Sequence, residues 1–443
     1  MASVLALDVG SSSVRAQRFG EDGNPLDELR QERYDGGDPD EMVALVRKVI
    51  DGRDEGVEAI GTSCFGHSLL ALDAAGRPLT PVLGWRDTRS AASVEWLRRR
   101  VGDAEAVHAR TGAPVHPSFW PAKLIWLAEE EPEIFRSAAR FVSFSDYLSA
   151  QLLGIEPHAS LSIASATGLL DLTGMRWDPE LLELTGVREE QLPVLSGEPQ
   201  NRWYPALMDA ACSNLGAGCT GKQRGALMVG TSAALRLLYE TESPQARPGL
   251  FLYRLDEHRV LEGGALSDGG NLHAWLEETL VEAKGSVLDR GPDEHGLTFL
   301  PFLGGERSTG WDPTRRGTVH GLTFDTTPLD IRQAALEGVA FRFAAIADLL
   351  TELEEVVATG GGLLGDRAWT QLMADALARP VTASLVEEAS LRGAAVATLE
   401  RLGCQTDEAP LGEVFHPREA RADAYRSARE RQQRLYEELR DED

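Results

Sequence analysis

The residues with the plainest chemical potential follow the first apolar segment, where Asp8 precedes a glycine and three serines. Residues 4–7 are apolar without a break, which predicts a buried strand that ends at this carboxylate, where a hydrated metal ion could be held. Gly10 allows a positive φ and a close backbone approach, and Ser11, Ser12 and Ser13 offer hydroxyl and N–H donors to an anion. A β-hairpin with a polar turn explains the same residues, so this segment alone leaves both interpretations open.

A second segment repeats this arrangement later in the chain. Residues 226–229 predict a short strand, and Gly230, Thr231 and Ser232 follow it before residues 235–238 return as a strand. An internal repeat of strand, glycine and hydroxyl residues favours a duplicated phosphate-binding turn. Asp209 opens a helix of small residues shortly before this repeat.

A third glycine turn lies nearer the end of the chain. Residues 356–359 predict a strand, three glycines at 360–362 follow, and a helix is expected from about Asp366 to Ala378. Such a turn lets a nucleotide lie against bare backbone beside a helix N-terminus. Three glycines also suit any tight turn, so a nucleotide contact at Gly361 and Gly362 is one of two interpretations.

Residues 216–222 match the spacing of a P-loop, but the surrounding residues speak against one. Gln223 stands where a P-loop needs Ser or Thr to bind Mg²⁺, and the preceding residues predict a helix rather than a strand. These residues therefore disfavour a P-loop.

A polar cluster around Trp85 has the composition of a sugar platform. Its ring could cover sugar C–H faces while Arg86 and Asp87 bind hydroxyls. A core tryptophan beside a surface ion pair explains these residues equally well. His116 lies in a predicted irregular loop, where ligand contact and simple exposure are both open.

Strands and helices alternate along the chain, which predicts an α/β fold. Helices are expected near residues 39–49, 90–100 and 121–130, with a strand at 57–63. A hydroxyl cap, proline and acid at 327–330 predict the start of a long buried helix that runs to about Glu354. The segment 193–205, rich in Pro, Gly, Asn and Gln, is the best linker candidate. The predicted domains are therefore residues 1–205 and 206–443.

Composition excludes several classes of partner. The chain has 443 residues, a net charge of −26 and a hydrophobic fraction of 42%, so two or three globular domains are expected. The acidic charge argues against nucleic acid or an anionic membrane as a partner, because both require a basic surface. The sequence shows neither a membrane-span pattern nor a signal-peptide pattern, and we expect a cytoplasmic protein. The four cysteines lack metal-ligand or redox spacing.

Taken together, the motifs resemble those of the FGGY family of carbohydrate kinases, and within it the gluconokinase-like branch. The resemblance extends over nearly the whole chain, and its ordered motifs are Asp8-Val-Gly-Ser, Trp85-Arg-Asp-Thr-Arg89, Arg110-Thr-Gly-Ala-Pro-Val-His-Pro117, Ser162-Ile-Ala-Ser-Ala-Thr-Gly-Leu169, Asp209 with Asn214-Leu-Gly216, Gly230-Thr-Ser232, Gly305-Glu-Arg307, and Gly360-Gly-Gly362 with Trp369 and Gln371. The resemblance implies two α/β domains of the actin-like, ribonuclease-H-like ATPase type with a cleft between them.

The resemblance also implies roles for individual residues. Asp209 is similar to the general base that takes the proton from the attacking sugar hydroxyl, and Asp8 to the residue that binds Mg²⁺ through water. The residues expected to hold the phosphates and nucleotide of ATP are Gly10, Ser11, Ser12, Ser13, Gly230, Thr231, Gly361, Gly362 and Asp366. The residues expected to line the sugar are His67, Trp85, Arg86, Asp87 and His116.

The branch of the family implies gluconate as the sugar. Arg86 stands where the family often has a small or amide residue, and its guanidinium could pair with the gluconate carboxylate. A kinase for another pentulose or polyol such as xylulose, a catalytically silent sugar sensor and an actin-like ATPase are the alternatives. The expected partners are ATP and a small sugar or sugar acid, and a homodimer is an assembly that the sequence allows. Compared with the family, residues 281–297 look abbreviated, and Asp366 places a charge near the expected nucleotide.

Overall fold

The computed structural model describes residues 2–280, 285, 287 and 290–441. Part of the abbreviated segment 281–297 therefore lies outside the described residues. The chain forms two compact units, and each is discontinuous in sequence. The first contains Met1–Gly218, Leu238–Glu262 and Glu388–Ala409, and the second contains Cys219–Leu237, Gly263–Glu387 and Pro410–Asp443.

The first unit mixes strands with helices. Its strands are β1 (Ser3–Val9), β2 (Ser13–Gly20), β3 (Arg30–Arg33), β4 (Ala59–Cys64), β5 (Leu70–Leu72), β6 (Arg140–Val142), β7 (His158–Ala159), β8 (Leu170–Asp171), β9 (Arg176–Trp177), β10 (Val194–Leu195) and β11 (Leu207–Met208). Its helices before residue 218 are α1 (Pro39–Ile50), α2 (Ala91–Arg100), α3 (Ala104–Thr111), α4 (Trp120–Glu130), α5 (Pro132–Ser137), α6 (Phe144–Leu153), α7 (Leu161–Ser165), α8 (Pro179–Thr185) and α9 (Asp209–Gly216), with a 3₁₀ turn at Glu189–Gln191.

The remaining elements complete both units. The later strands are β12 (Gly221–Val229), β13 (Ala233–Glu240), β14 (Phe251–Arg254), β15 (Arg259–Leu266), β16 (Thr298–Leu300), β17 (Thr318–His320), β18 (Glu355–Thr359), β19 (Val381–Ser384) and β20 (Leu411–Phe415). The later helices are α10 (Gly270–Thr279), α11 (Pro328–Leu349), α12 (Gly361–Leu364), α13 (Arg367–Leu377), α14 (Ala389–Arg401) and α15 (Glu419–Asp441). Of these helices, α14 belongs to the first unit.

A five-stranded sheet in the order β11-β4-β1-β2-β3 is the frame of the first unit. β1 pairs antiparallel with β2 and parallel with β4, and β4 pairs parallel with β11. β1 is buried along nearly its whole length, which agrees with its unbroken apolar sequence. Because β1, β4 and β11 run in the same direction, the residues that follow them meet at one edge of the sheet.

Glycines allow α9 to pack directly on α14. A Cβ on Gly393 would lie 1.8 Å from the Cys212 carbonyl oxygen, and a Cβ on Gly216 would lie 1.8 Å from the Ala389 carbonyl oxygen. No side chain fits at these distances, so the two backbones are in direct contact. This contact fixes the helix that begins with Asp209.

The sheet of the second unit has β15, β13, β12, β18, β19 and β20 as successive neighbours. β12 and β18 are parallel, with Met228 in register with Thr359. The turns that follow these two strands, at residues 230–232 and 360–362, therefore lie at the same edge of this sheet.

The expected elements are present, and three details differ from the sequence interpretation. The capping box at Thr327 and Asp330 is formed, but α11 ends at Leu349 rather than near Glu354, because the Glu354 N–H already bonds to the Gln223 carbonyl and joins the sheet. β12 begins five residues earlier than expected. The glycines at 361–362 are part of the short helix α12 rather than an open turn.

No helix among the described residues is both long and apolar enough to cross a membrane.

Candidate active site

Asp8 is a buried carboxylate at the end of β1, and both of its oxygens are held. The Ser63 hydroxyl donates to Oδ1 at 2.7 Å, and Arg15 Nη1 donates to Oδ2 at 3.0 Å. Arg15 also lies 3.2 Å from Glu388. Burial raises the pKa of Asp8, while the Ser63 hydroxyl and the Arg15 charge oppose that rise. The site therefore contains a carboxylate whose orientation is fixed by its neighbours.

Asp209 lies at the same sheet edge as Asp8. Ser63 on β4 is in register with Asp8 on one side and with Leu207 on the other. Asp209 comes two residues after Leu207, as the first residue of α9. Neighbouring strands lie about 4.8 Å apart, so the two flanking backbones are separated by about 10 Å. Two carboxylates that are 201 positions apart in sequence (209 minus 8) thus meet at one edge.

The electrostatic surroundings of two buried thiols also indicate that Asp8 and Asp209 lie close together. Burial raises the pKa of Cys64, and the charges of Asp209 and Asp8 raise it further. The pKa of Cys212 is also raised, by burial first and then by Asp8 and Asp209. Both carboxylates therefore lie close enough to act on the same two thiols, which belong to β4 and α9.

The hydroxyls of the small-residue segment 160–168 position the strand before Asp209. Ser162 Oγ accepts the Met208 N–H at 3.0 Å, and Ser160 Oγ donates to the Ala206 carbonyl at 2.6 Å. The Asp209 side chain is half-buried and its Oδ1 accepts the Ala210 N–H at 2.7 Å. The serines hold the entry to α9 and thereby the direction in which Asp209 leaves the sheet.

The first serine turn is a tight hairpin. The Gly10 N–H donates to the Ser13 carbonyl at 2.9 Å, and the Tyr34 hydroxyl donates to the Gly10 carbonyl. Ser11 and Ser12 are exposed, whereas Ser13 is buried. Glycine allows a positive φ at position 10, but Gly10 does not adopt one. The hairpin hydrogen bond therefore shapes this turn without a left-handed residue.

His67 is buried and strained. Its φ is +64°, a left-handed backbone conformation that few residues other than glycine adopt. Its Nδ1 lies 2.6 Å from the Ala166 carbonyl oxygen, and its ring meets Phe119 and Tyr253 edge-on. Strain of this kind is concentrated at functional sites.

The cluster after Leu83 is organised by arginines. Arg86 is exposed and stacks on Trp85, with its guanidinium carbon 4.9 Å from the ring centroid. Arg89 pairs with Asp87 at 2.5 Å. Burial opposes the ionisation of Asp87, but Arg89 and the charge of Lys123 outweigh it and hold the pKa of Asp87 below its usual range. Asp87 is thus a carboxylate with its charge retained.

His116 is buried rather than exposed. Its Nδ1 lies 3.0 Å from Ser118 Oγ, and that hydroxyl lies 3.3 Å from the Trp85 carbonyl oxygen. The Ser118 hydroxyl therefore links the loop of His116 to the loop of Trp85.

In the second unit, the residues after β12 pack against the start of α10. The Gly270 N–H donates to the Gly230 carbonyl at 2.7 Å and the Asn271 N–H donates to the Thr231 carbonyl at 3.1 Å. A Cβ on Gly270 would lie 2.5 Å from the Gly230 carbonyl oxygen. Thr231 is exposed at the tip of this turn. The turn is held by backbone contacts and leaves its hydroxyl accessible.

The turn after β18 packs on the same strand end. A Cβ on Gly360 would lie 2.5 Å and one on Gly362 would lie 2.9 Å from the Val229 carbonyl oxygen, whereas Gly361 faces open space. Asp366 caps α13, accepting the Ala368 and Trp369 N–H groups at 2.9 and 3.1 Å. This cap gives Asp366 a structural function at the position where a charge near the nucleotide was expected.

Asp268 lies in the glycine-rich segment 261–271, which had no function assigned from sequence, and it stands beside the turn after β12. Its side chain is 1% exposed, and Oδ1 accepts the Gly304 N–H at 3.3 Å. Within the part of the chain that the structure describes, Oδ2 has no hydrogen-bond partner. Burial raises the pKa of Asp268 to about 7, against the opposing backbone N–H groups of Gly304 and Leu303.

Asp268→Asn is expected to stabilise the protein at pH 8. The pKa of Asp268 is about 7 in the folded state and its ordinary value is 3.8. The folded state therefore binds more protons between these values, and wild-type stability falls as the pH rises through this interval. The amide has no charge to bury, so we expect a gain of about 1–3 kcal/mol at pH 8. Thermal melts at several pH values measure it.

The control is Asp325→Asn, which removes one negative charge from an exposed position of the same unit. It should give no gain that depends on pH between 4 and 8. An equal gain in both variants would mean that net charge, rather than the burial of Asp268, governs the effect.

Comparison with known proteins identifies the family. The family models described as the N-terminal and C-terminal domains of the FGGY family of carbohydrate kinases match residues 3–202 and 225–399. The chain belongs to the FGGY family of carbohydrate kinases. It is therefore a two-domain α/β kinase and a sugar phosphotransferase, as the motifs predicted.

Three relatives show which characterised kinases this FGGY kinase is similar to. The gluconokinase of Bacillus subtilis (strain 168) is 27% identical over 452 residues, covering 90% of this chain and 88% of the relative. The crystal structure of gluconate kinase from Lactobacillus acidophilus matches with a TM-score of 0.88 and 26% identity, covering 99% and 98% of the two chains. The ligand-bound xylulose kinase from Lactobacillus acidophilus has the same TM-score and coverage with 25% identity.

Sequence reasoning missed three groups that position the FGGY site residues. Arg15 could have been found from the hairpin register, because a short turn after β1 places it opposite Asp8. Lys123 is a single charge within the apolar segment 120–127, a pattern that indicates a buried cation. The hydroxyls of Ser160 and Ser162 carry no such signal, since serines in a small-residue segment are compatible with many packings.

Proposed function

We propose that this FGGY kinase transfers the γ-phosphoryl group of ATP to a hydroxyl of gluconate. The observation that supports this most directly is the register that brings Asp8 and Asp209 to one sheet edge on either side of Ser63. Phosphoryl transfer needs a group that positions a metal and a group that accepts the hydroxyl proton. These two carboxylates meet that requirement.

Asp209 acts as the general base. A base must reach the hydroxyl within hydrogen-bond distance or through one water, and a half-buried carboxylate at a strand end offers an oxygen to a ligand on that edge. The Ala210 N–H fixes its Oδ1, which orients the carboxylate. The proton of the sugar hydroxyl passes to Asp209 as the oxygen attacks phosphorus and the bond from phosphorus to the ADP oxygen breaks.

The donor set around Asp8 fits a hydrated Mg²⁺. Asp8 supplies hard carboxylate oxygens, which Mg²⁺ prefers, and the Ser63 hydroxyl keeps one oxygen in place. Asp8 is the residue that would hold the ion through its water. When bound, Mg²⁺ would neutralise charge on the phosphate oxygens. Burial raises the pKa of Asp8, and the Ser63 hydroxyl and Arg15, which both bond to this carboxylate, oppose that rise.

The nucleotide is assigned to the glycine and hydroxyl turns. Ser11, Ser12 and Thr231 are exposed and offer hydroxyl donors to phosphates. Gly361 has open space where a side chain would stand, so a nucleotide can approach the backbone there. Gly10, Ser13, Gly230, Gly362 and Asp366 shape these turns rather than present side chains to the ligand.

The sugar is assigned to the cluster of His67, Trp85, Arg86, Asp87 and His116. An aromatic ring beside a carboxylate and a guanidinium suits a polyol, because the ring covers C–H groups while the charges bind hydroxyls. Gluconate adds a carboxylate to this polyol. The exposed Arg86 guanidinium offers a partner for that carboxylate in a chain of net charge −26.

Arg86→Ala is expected to raise the KM for gluconate by about tenfold to a hundredfold, the loss of one charge-assisted pair of about 1.5–3 kcal/mol. The KM for ATP should not change. Steady-state kinetics with each substrate varied in turn measure both constants. Arg98→Ala, which removes an arginine from α2, serves as the control. An unchanged KM for gluconate in Arg86→Ala would refute the assignment.

ADP release with a panel of gluconate, xylulose, glycerol and other polyols tests the proposed function. Turnover that depends on gluconate supports it, and turnover that prefers xylulose assigns another sugar to the same site. Sugar binding without turnover would indicate a silent sensor. Hydrolysis that is independent of any sugar would indicate an ATPase.

A further inference from the structure

Lys123 is a buried cation beneath the two loops that carry the sugar candidates. It lies on α4 and is 1% exposed. Its Nζ donates to the His67 carbonyl at 2.6 Å and to the Leu83 carbonyl at 3.2 Å. The first carbonyl belongs to the loop after β4 and the second precedes Trp85. One ammonium group therefore bridges both loops from behind.

The contact with His67 falls on the strained residue of the site. A non-glycine residue with φ of +64° persists only when its surroundings hold it there, at a cost of about 1–3 kcal/mol. The His67 side chain is fixed by the Ala166 carbonyl and its backbone carbonyl is fixed by Lys123. These two hydrogen bonds act together with the ring contacts to Phe119 and Tyr253 to hold the His67 ring in place.

Burial of the Lys123 ammonium group is energetically unfavourable, and packing alone does not require a lysine at this position. Burial lowers the pKa of Lys123 to about 7, with Asp87 opposing that change. An apolar side chain of the same length would avoid this cost while filling the same space. A methionine would remove the Lys123 donor from the His67 carbonyl and a positive charge from the surroundings of Asp87, and it would leave the Leu83 carbonyl with the Leu69 N–H as its donor.

We propose that Lys123 is a positioning residue for the sugar: it holds His67 in its left-handed conformation and fixes its loop relative to the Leu83 loop. The inference rests on the proposed function in that the sugar is taken to bind at His67 and Trp85. Lys123 touches neither the sugar nor the nucleotide. It sets the spacing of the side chains that do.

Lys123→Met is the direct test, with Lys48→Met as the matched control because Lys48 is 64% exposed and pairs with Glu32 on the surface. Lys123→Met should raise the KM for the accepted sugar at least tenfold and leave the KM for ATP within twofold. Hydrogen exchange, measured without ligands, should accelerate at least tenfold in residues 65–69 and 83–89. Lys48→Met should change neither.

A double-mutant cycle on thermal stability tests the strain independently of any substrate. His67→Gly removes the conformational strain, so Lys123→Met should lower the melting temperature less in that background than in the wild type. Lys123→Gln, which keeps a donor, serves if Lys123→Met does not fold. An equal loss in both backgrounds, or unchanged exchange in both loops, would overturn the proposal. A wild type that phosphorylates no sugar would refute the proposed function, whereas the exchange and the cycle would still decide the role of Lys123.

Discussion

Asp209→Asn is expected to lower kcat by about 10²–10⁴-fold, the range that a positioned general base contributes. The amide oxygen can accept the Ala210 N–H as the carboxylate does, so the start of α9 should keep its geometry. What the variant loses is the ability to accept a proton. Binding of ATP should persist, because the residues assigned to the nucleotide belong to other turns.

Steady-state rates at saturating concentrations of ATP and the preferred sugar measure kcat. Calorimetric titration with a non-hydrolysable ATP analogue measures nucleotide binding. Asp103→Asn is the control, since it makes the same chemical change at the N-cap of α3, where asparagine caps as well as aspartate. A variant of Asp209 that loses nucleotide affinity instead would show that Asp209 serves the nucleotide and is not the base.

The convergence of Asp8 and Asp209 was predictable only in part, because strand polarity gives it once the strands are known, whereas β11 was not predicted and Asp209 was assigned to the second predicted domain. Each carboxylate follows an apolar segment, and parallel strands of one sheet deliver their following residues to one edge. The sequence contains the segments, and the resemblance to a family supplies the pairing. The identity of the strand between them, β4 with Ser63, is a property of the assembled sheet and has no local signal.

The turns were harder to predict than the strands. Gly10 allows a positive φ, but its turn closes through the Ser13 carbonyl without one. Gly270 and Gly393 are required for a different reason, because neighbouring backbone stands where their Cβ would be. Such close approaches join segments that are distant in sequence, so a single glycine in one segment cannot reveal them.

The buried charges Asp268 and Lys123 show the same limit of prediction from sequence. Asp268 lies in a glycine-rich segment that gives no indication of burial, whereas Lys123 lies in the mainly apolar segment 120–127, a contrast that can be read from sequence. Which backbone groups they meet cannot, because Gly304 lies 36 residues from Asp268 and His67 lies 56 residues from Lys123. Their functions therefore become arguable only once tertiary contacts are known.

Asp8→Asn is expected to raise the Mg²⁺ concentration that gives half-maximal activity by about 10–100-fold, the usual effect of removing a residue that holds a metal through its outer shell. The amide can still accept the Ser63 hydroxyl, and it no longer places a charge in a buried position. The fold should therefore tolerate the change, while Arg15 keeps Glu388 as its remaining partner.

Activity measured against Mg²⁺ concentration at saturating ATP and sugar gives this constant. Asp146→Asn is the matched control, because Asp146 is also buried in the first unit but bonds to the Ser143 N–H in the capping box of α6. Its loss should affect melting temperature and leave the Mg²⁺ dependence unchanged. If Asp8→Asn instead lowers kcat with the same Mg²⁺ dependence as the wild type, Asp8 acts on Arg15 and the phosphates rather than on the metal. The position of the curve along the Mg²⁺ axis, more than the size of the loss, therefore decides which partner Asp8 serves.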